Sequence, residues 1–478
     1  QTTTRLNGHA GSCDGVGGVL RFVPLRAQVE VRSCPIAAGT PSFHAPCRCT
    51  LAFREQNGPR SEMIRRMATL LGGSVTGQLV AVLSAFVLTR LYGPEAFAHL
   101  EMFALVTGIA AVLGTGKFEQ ALMLPKAEAE AKALFSAGQR AVGVTIMVVF
   151  AVSVLSAGWV AEAYGLTGWV PMAYALPLFA GVAAHTRLLE YWRHRQKEAG
   201  WVAAANALGP AAAEGTKLGL SGLLSATGLV WGSGAGLVAR WAVMRRGLSQ
   251  LVRETWSSGP SRQAVVADYR DYPTWVLAGS AMNRTAQWLH VLLLGVALGP
   301  VLLGTLGLAR RMVMQPLSML AASAAPVLFK SATDLEDGAP LQRLFWQAMG
   351  AFIAVAAVVW STIQLALDHT TAWLFGAEWF GAMEVVRVLV PWFVLNFISA
   401  GLGSMFHRVQ RPRWITALDA LHLLMVGVGW WLGTTHPAWF GGGEWGALVG
   451  IVWAKCVYYL VNVSVLIFAV MTHGNADR

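Results

Sequence analysis

Between Met67 and Met471 the apolar positions gather into stretches of about twenty residues, parted by short polar segments. A helix needs about 20 apolar residues to cross the hydrocarbon of a bilayer. Twelve stretches qualify, at approximately 67–89, 96–116, 138–160, 168–188, 201–223, 225–244, 274–297, 300–328, 345–367, 382–406, 414–433 and 446–471. The pattern predicts an all-α polytopic membrane protein with about twelve transmembrane helices. Composition agrees: 55% of the residues are hydrophobic and only 13% charged, with a mean hydropathy of +0.51. A soluble protein of 478 residues carries more charge than this.

Basic residues in short loops mark the cytoplasmic side, and here they alternate loop by loop. One set of loops holds Arg65 and Arg66; Lys117, Lys126 and Lys132; Arg193, Arg195 and Lys197; and the run from Arg245 to Arg270. Lys330, Arg343, Arg408, Arg411, Arg413 and Arg478 complete it, while the opposite loops have only Arg90 at such an end. Both termini are therefore expected in the cytoplasm. The formal net charge of +11 is a topology signal, and clusters at alternate helix ends are not the single stripe that nucleic acid requires. Tryptophans near the helix ends, among them Trp159, Trp169, Trp379, Trp431 and Trp439, suggest an interfacial belt.

Residues 1–62 differ from the rest, being rich in Gly, Pro, Ser and Arg and holding Cys13, Cys34, Cys47 and Cys49. Their composition predicts a disordered leader, and the first methionines, Met63 and Met67, stand directly before the first span. That order suggests a native start at one of them. Cys47-Arg-Cys49 lacks zinc-knuckle spacing, and no secretory signal pattern is present.

An internal duplication organises the remainder. Gly93-Pro94 follows the first span as Gly299-Pro300 follows the seventh. Trp169 opens a stretch that ends in a basic loop and Trp201, and Trp379 opens one ending in a basic loop and Trp414. Six plus six helices in the same orientation predict two parallel six-helix lobes around a central cleft. The expected divisions are 63–248 for the first lobe, 249–271 for a basic inter-lobe linker and 272–478 for the second lobe.

Ionisable residues at membrane depth are costly and face a cavity or a partner. Glu214 with Lys217, and Glu384 with Arg387, are three apart and can neutralise each other. Arg284, Arg310 and Arg311 lie on two consecutive spans without an acid in either. They suit an anion site, since guanidinium binds phosphate bidentately and never deprotonates. The alternative is pairing across the lobes with Glu101 or Asp419, or bonding to backbone at a helix break. Adjacent residues point about 100° apart, so one of Arg310 and Arg311 is expected in the cleft. Glu101, Asp419 and Glu119 are candidates for carrying a coupling ion, H+ or Na+. For Glu119 an ion pair with Lys117 or Lys126 is an equal alternative. The sequence contains no H-E-x-x-H, P-loop or Gly-x-Ser-x-Gly pattern, and no cofactor or metal site is expected.

Several short motifs resemble a known group. They are Gly73-Ser74-Val75 … Leu88-Thr89-Arg90-Leu91-Tyr92-Gly93-Pro94-Glu95-Ala96-Phe97, then Lys117-Phe118-Glu119-Gln120-Ala121 with Leu124-Pro125-Lys126. Tyr269-Arg270-Asp271-Tyr272-Pro273, Leu308-Ala309-Arg310-Arg311 … Pro316 and Leu374-Phe375-Gly376-Ala377-Glu378-Trp379 continue the series. In order and spacing they resemble the bacterial lipopolysaccharide and O-antigen flippases of the multidrug/oligosaccharidyl-lipid/polysaccharide exporter superfamily. The resemblance implies a multi-pass protein of the bacterial inner membrane. It also implies transport of an undecaprenyl-diphosphate-linked oligosaccharide from inner to outer leaflet by alternating access. Such a head group cannot cross hydrocarbon without losing its water. On this reading Arg284, Arg311 and Arg310 meet the diphosphate, Arg90 draws charge outward, and Asn283 and Gln315 contact sugar. Arg284 has no counterpart in the family pattern and rests on the physical argument alone. The rivals are a drug/cation antiporter of the same superfamily, which wants an acidic cleft, and a membrane-embedded polysaccharide polymerase or ligase, which wants a long outer loop.

Overall fold

Gly299 lets one helical run hold two crossings. Its φ of 76° and ψ of −175° lie where a β-carbon is strongly disfavoured, and Pro300 behind it has no N–H to continue the ladder. The computed structural model describes residues 59–472, apart from 225–226, 258–260, 334, 336–338, 377–378, 380–381, 410–411 and 444. The leader expected over 1–62 thus lies almost wholly outside the described residues, as do Arg411, Arg478 and Glu378.

Among the described residues every regular element is helical. The first half contains α1 (Pro59–Leu91), α2 (Pro94–Leu113), α3 (Phe118–Ala121), α4 (Glu128–Ala163), α5 (Trp169–Ala173), α6 (Leu176–Arg195), α7 (Ala199–Leu220) and α8 (Gly228–Arg245). Two short helices, α9 (Ser249–Ser257) and α10 (Ser261–Asp268), link it to the second half. There follow α11 (Leu277–Ala309), α12 (Gln315–Thr333), α13 (Ala339–Phe375), α14 (Ala382–Leu402), α15 (Ser404–Arg408), α16 (Pro412–Thr435) and α17 (Trp445–Thr472). Wider π-type turns, Tyr272–Val276 and Arg310–Met314, flank α11.

Eight helical runs among the described residues are long and apolar enough to cross a membrane, the 62-residue run Tyr272–Thr333 with its break at Gly299 being one of them. Three helices at expected crossings, α6, α7 and α8, are not among the eight. Arg187 and Glu190 in α6, Glu214 and Lys217 in α7, and Arg240 in α8 lower their apolarity. Length and composition alone therefore stop short of the expected twelve.

Residues 66–478 pack as one unit, and small residues set how closely its halves approach. The second leg of α11 lies along α2, where a β-carbon on Gly304 would come within 2.8 Å of the Pro94 carbonyl carbon. Gly307 rests on the Glu101 side chain. Nearby, Trp379 Nε1 donates to the Thr89 carbonyl at 2.9 Å, and its ring meets Phe97 edge-on at 5.1 Å. All these contacts lie at the end that the basic-loop pattern assigns to the outside. Trp379 and Trp169 are accordingly buried against neighbouring helices rather than standing in an interfacial belt. Trp159, Trp431 and Trp439 are exposed, as a belt requires.

At the opposite end a second core joins Phe118, Leu122, Phe135, Leu188 and Trp192 to Met244. Leu251 of α9 enters it, so the linker is docked on α4 through its apolar side. Arg193 ties this end together, donating through Nε to the Met244 carbonyl at 3.2 Å.

Candidate functional site

The two adjacent arginines after α11 both turn toward the first half. Arg310 pairs with Glu101 of α2, its guanidinium lying 4.1 Å from the centre of the Trp288 ring. Arg311 donates to the Glu214 carboxylate at 2.5 Å and to the Ala81 carbonyl at 3.3 Å. The same Glu214 accepts from Lys217 at 2.9 Å and from Ser84 at 2.7 Å. The expectation of unpaired cations is thus corrected for both residues. The Arg310–Glu101 pair is the alternative that the sequence offers, whereas Glu214 of α7 reads there as paired with Lys217 alone. The four side chains bridge the halves on the expected outer side and close the cleft there.

Arg284 is different. It makes no ion pair among the described residues, and its Nη1 donates to Gln287 Oε1 at 3.1 Å. Gln287 Nε2 donates to Asn283 Oδ1 at 2.7 Å, and Asn283 Nδ2 donates to Asp419 Oδ1 at 2.6 Å. This chain runs from α11 to α16 along a cavity of about 360 Å³, lined by Asn283, Arg284 and Asp419 with Val112, Trp275 and Ser280. These residues come from the last turn of α2 and the first turns of α11 and α16, beside the basic loops. The cavity therefore belongs to the expected cytoplasmic side.

Arg187 of α6, Lys117 and the already paired Arg310 act electrostatically with Arg284. Arg187 is itself held by Glu190 at 3.5 Å and Tyr191 at 3.3 Å. Lys117 follows Gly116, both residues being left-handed with φ of 64° and 62°, and this turn carries the chain from α2 into α3. Burial lowers the Lys117 pKa; Glu119 opposes this, and the Arg187 and Arg284 charges push it down further. Sequence reasoning missed Arg187, and it read Lys117 as a loop charge and as an ion-pair alternative for Glu119.

The remaining expected site residues scatter. Glu119 is buried, accepts from Thr115 and lies 3.9 Å from Lys117, which is the ion-pair alternative. Arg90 is exposed at the end of α1, and Gln315 is exposed at the start of α12, outside the cavity lining. No group of three or more His, Cys, Asp or Glu side chains able to hold a metal occurs among the described residues.

The fold matches solved transporters at low identity. An inward-facing multidrug resistance MATE family transporter of the MOP superfamily aligns at 15% identity and a TM-score of 0.60, covering 86% of this chain and 96% of that one. An outward-facing structure described in the same terms aligns at 16% identity and a TM-score of 0.51, covering 87% and 97%. A MATE structure in complex with MaD3S gives 16% identity and a TM-score of 0.55, with 87% and 97% covered. No curated protein sequence matches the chain. Residues 64–331, more than half of the sequence, match the family described as Polysaccharide biosynthesis protein. The chain therefore belongs to that polysaccharide biosynthesis family and carries the fold of the solved MATE transporters of the MOP superfamily.

Proposed function

We propose that this protein is a flippase moving a polyprenyl-diphosphate-linked oligosaccharide from the inner to the outer leaflet of the bacterial cytoplasmic membrane. The observation that carries the reading is Arg284, a cation without an acid partner in a cavity at the expected cytoplasmic side, with Arg187 and Lys117 in electrostatic range. Arg187 and Lys117 each have a carboxylate nearby, whereas Arg284 has none among the described residues, and a diphosphate carries the charge and acceptors it lacks. Asn283 and Gln287, already exchanging hydrogen bonds, are placed to reach sugar hydroxyls.

In this reading Arg310 and Arg311 serve as an outer gate. Their pairs with Glu101 and Glu214 hold the inward-facing state and must part for the outward one. Arg90, exposed at the outer end, would meet the head group as it leaves. Alternating access then shelters the head group between the lobes while the polyprenyl tail stays in lipid. Asp419, the cavity carboxylate without a cation partner among the described residues, is the proposed entry for a coupling ion. A cavity holding Arg284 and flanked by Arg187 repels cationic drugs, which argues against the antiporter reading.

The test is translocation of a fluorescent polyprenyl-diphosphate oligosaccharide in proteoliposomes. Arg284→Ala abolishes movement and Arg284→Lys restores part of it, both with the folding of wild type. Movement indifferent to either change would remove the diphosphate site. No movement by folded wild type with verified substrate would overturn the flippase reading.

A further inference from the structure

The interior of the second half contains basic groups that neither the cavity nor the gate uses. Lys455, in the middle of α17, is 1% exposed and has no carboxylate partner among the described residues. Its Nζ lies 3.4 Å from His422 Nε2 of α16 and 4.3 Å from the centre of the Trp392 ring of α14. The His290 ring of α11 also packs edge-on against Trp392, at 4.7 Å. His290 is 1% exposed, and both of its ring nitrogens are without a hydrogen-bond partner. Buried polar groups are almost always satisfied, so a histidine left open on both nitrogens beside a lysine requires a reason.

The second observation is the placement of these residues relative to the cavity. His422 is three residues beyond Asp419 on α16, and His290 is seven beyond Asn283 on α11, spacings that keep each pair on one helix face. Asp419 and Asn283 are hydrogen-bonded to each other at the cavity wall. A polar row therefore runs from the cavity into the core of the second half.

We infer that His422 and Lys455, with His290 beside them, form a proton-loading site in the second half that is reached from the cavity past Asp419. Each form of the site conserves its proton. With an ammonium at Lys455, Nζ donates to a His422 Nε2 that carries no proton. When Nζ gives that proton up, Nε2 takes it, the imidazolium passes a proton to the Asp419 carboxylate, and Asp419 releases it to water in the cavity. Loading runs the same steps in reverse. His290 offers the charge a second nitrogen beside Trp392. Lysine and histidine exchange protons readily at such positions, whereas arginine does not.

The chemistry favours H+ over Na+. A sodium ion needs a shell of oxygen donors, whereas this cluster presents imidazole nitrogens and an ammonium. The other groups facing it fit the same reading. Tyr458 stacks on His422 at 4.2 Å, Tyr459 lies beside it, and Cys456 follows Lys455 on α17. Arg310, paired with Glu101, is the other fixed cation acting on Lys455 and His290. The inference rests on the flippase reading only for what the proton drives; the site itself stands on the cluster.

Ring-15N histidine NMR of the full chain in nanodiscs tests the site without substrate. Signals assigned by His422→Gln and His290→Gln are expected to titrate together, with midpoints moved by about one unit or more in Lys455→Met. Static signals, or midpoints that ignore Lys455→Met, would overturn the proposal. Should Lys455→Met fail to fold, the response of His290 to His422→Gln makes the same comparison. In proteoliposomes an acidic outer side is expected to raise the outer-to-inner ratio of the head group by about tenfold per pH unit for one proton per cycle. A sodium gradient leaves it unchanged, and His422→Gln removes the pH response. Sodium drive with indifference to pH would sink the coupling. Titrating histidines in a protein that moves no head group would retain the site and reject the flippase.

Discussion

Arg311 and Lys217 both donate to Oε1 of Glu214, one from each half of the molecule. The carboxylate thus serves two cations, and removing different members has unequal consequences. Glu214→Gln leaves two buried charges without a counter-charge and is expected to destabilise by about 3–5 kcal/mol. Arg311→Gln leaves the Lys217–Glu214 pair intact and is expected to cost clearly less. Thermal unfolding of the two variants in detergent checks the order. Equal losses would mean that the inter-half bond, rather than charge balance, carries the stability.

Gly304 sets the distance between α2 and the second leg of α11. A methyl group there would overlap the Pro94 carbonyl and press on the Ala98 nitrogen at 3.1 Å. Gly304→Ala is expected to cost about 1–3 kcal/mol through overpacking and to wedge the outer end apart. A cysteine at Ala98, now fully buried, would then react severalfold faster with a membrane-impermeant maleimide. Unchanged reactivity would show that the helices absorb the methyl without opening.

How much of this the sequence revealed depends on the kind of signal. Gly93-Pro94 and Gly299-Pro300 were legible because turn chemistry is local: Pro94 opens α2, and Gly299 breaks α11. Arg284 was legible because an ionisable group in an apolar span stands out at once. Glu101 was legible as one alternative partner, but the contact of Arg311 with Glu214, 97 residues away, was not. Only the packing of α2 and α7 against the second half brings them together. The cluster of His290, His422 and Lys455 was hidden for the same reason, each residue being single on its own helix. Trp379 misled because proximity to a helix end does not say whether that end faces lipid or protein.

Lys117 gives the fold a pH dependence of known sign. Burial holds its folded-state pKa below the ordinary lysine value, with Glu119 opposing and the Arg187 and Arg284 charges assisting. Between the lowered folded value and the ordinary lysine value of 10.5 the unfolded chain binds more protons, so stability rises with pH across that window. Lys117→Met is expected to flatten the rise, while Thr115 continues to donate to Glu119. Melting temperatures of both proteins from pH 8 to 10.5 check this. A parallel rise in the variant would assign the dependence to another group.

Arg187 separates binding from folding. Its acid partner Glu190 is also held by Arg240 at 3.3 Å, so Arg187→Gln leaves no carboxylate unpaired and is expected to change stability by less than about 0.5 kcal/mol. Its charge nevertheless acts on Arg284 and Lys117, and a diphosphate in the cavity would feel all three cations. Affinity for inorganic pyrophosphate, measured by calorimetry in detergent, is expected to fall about tenfold, or ~1.4 kcal/mol. The fall should shrink as salt is raised, because part of the attraction passes through water-accessible space. Arg284→Ala is expected to lose more, since it removes the cation that lines the cavity. Should Arg187→Gln bind pyrophosphate as wild type does while Arg284→Ala does not, the site is a single-arginine contact and the three-cation cluster plays no part in it.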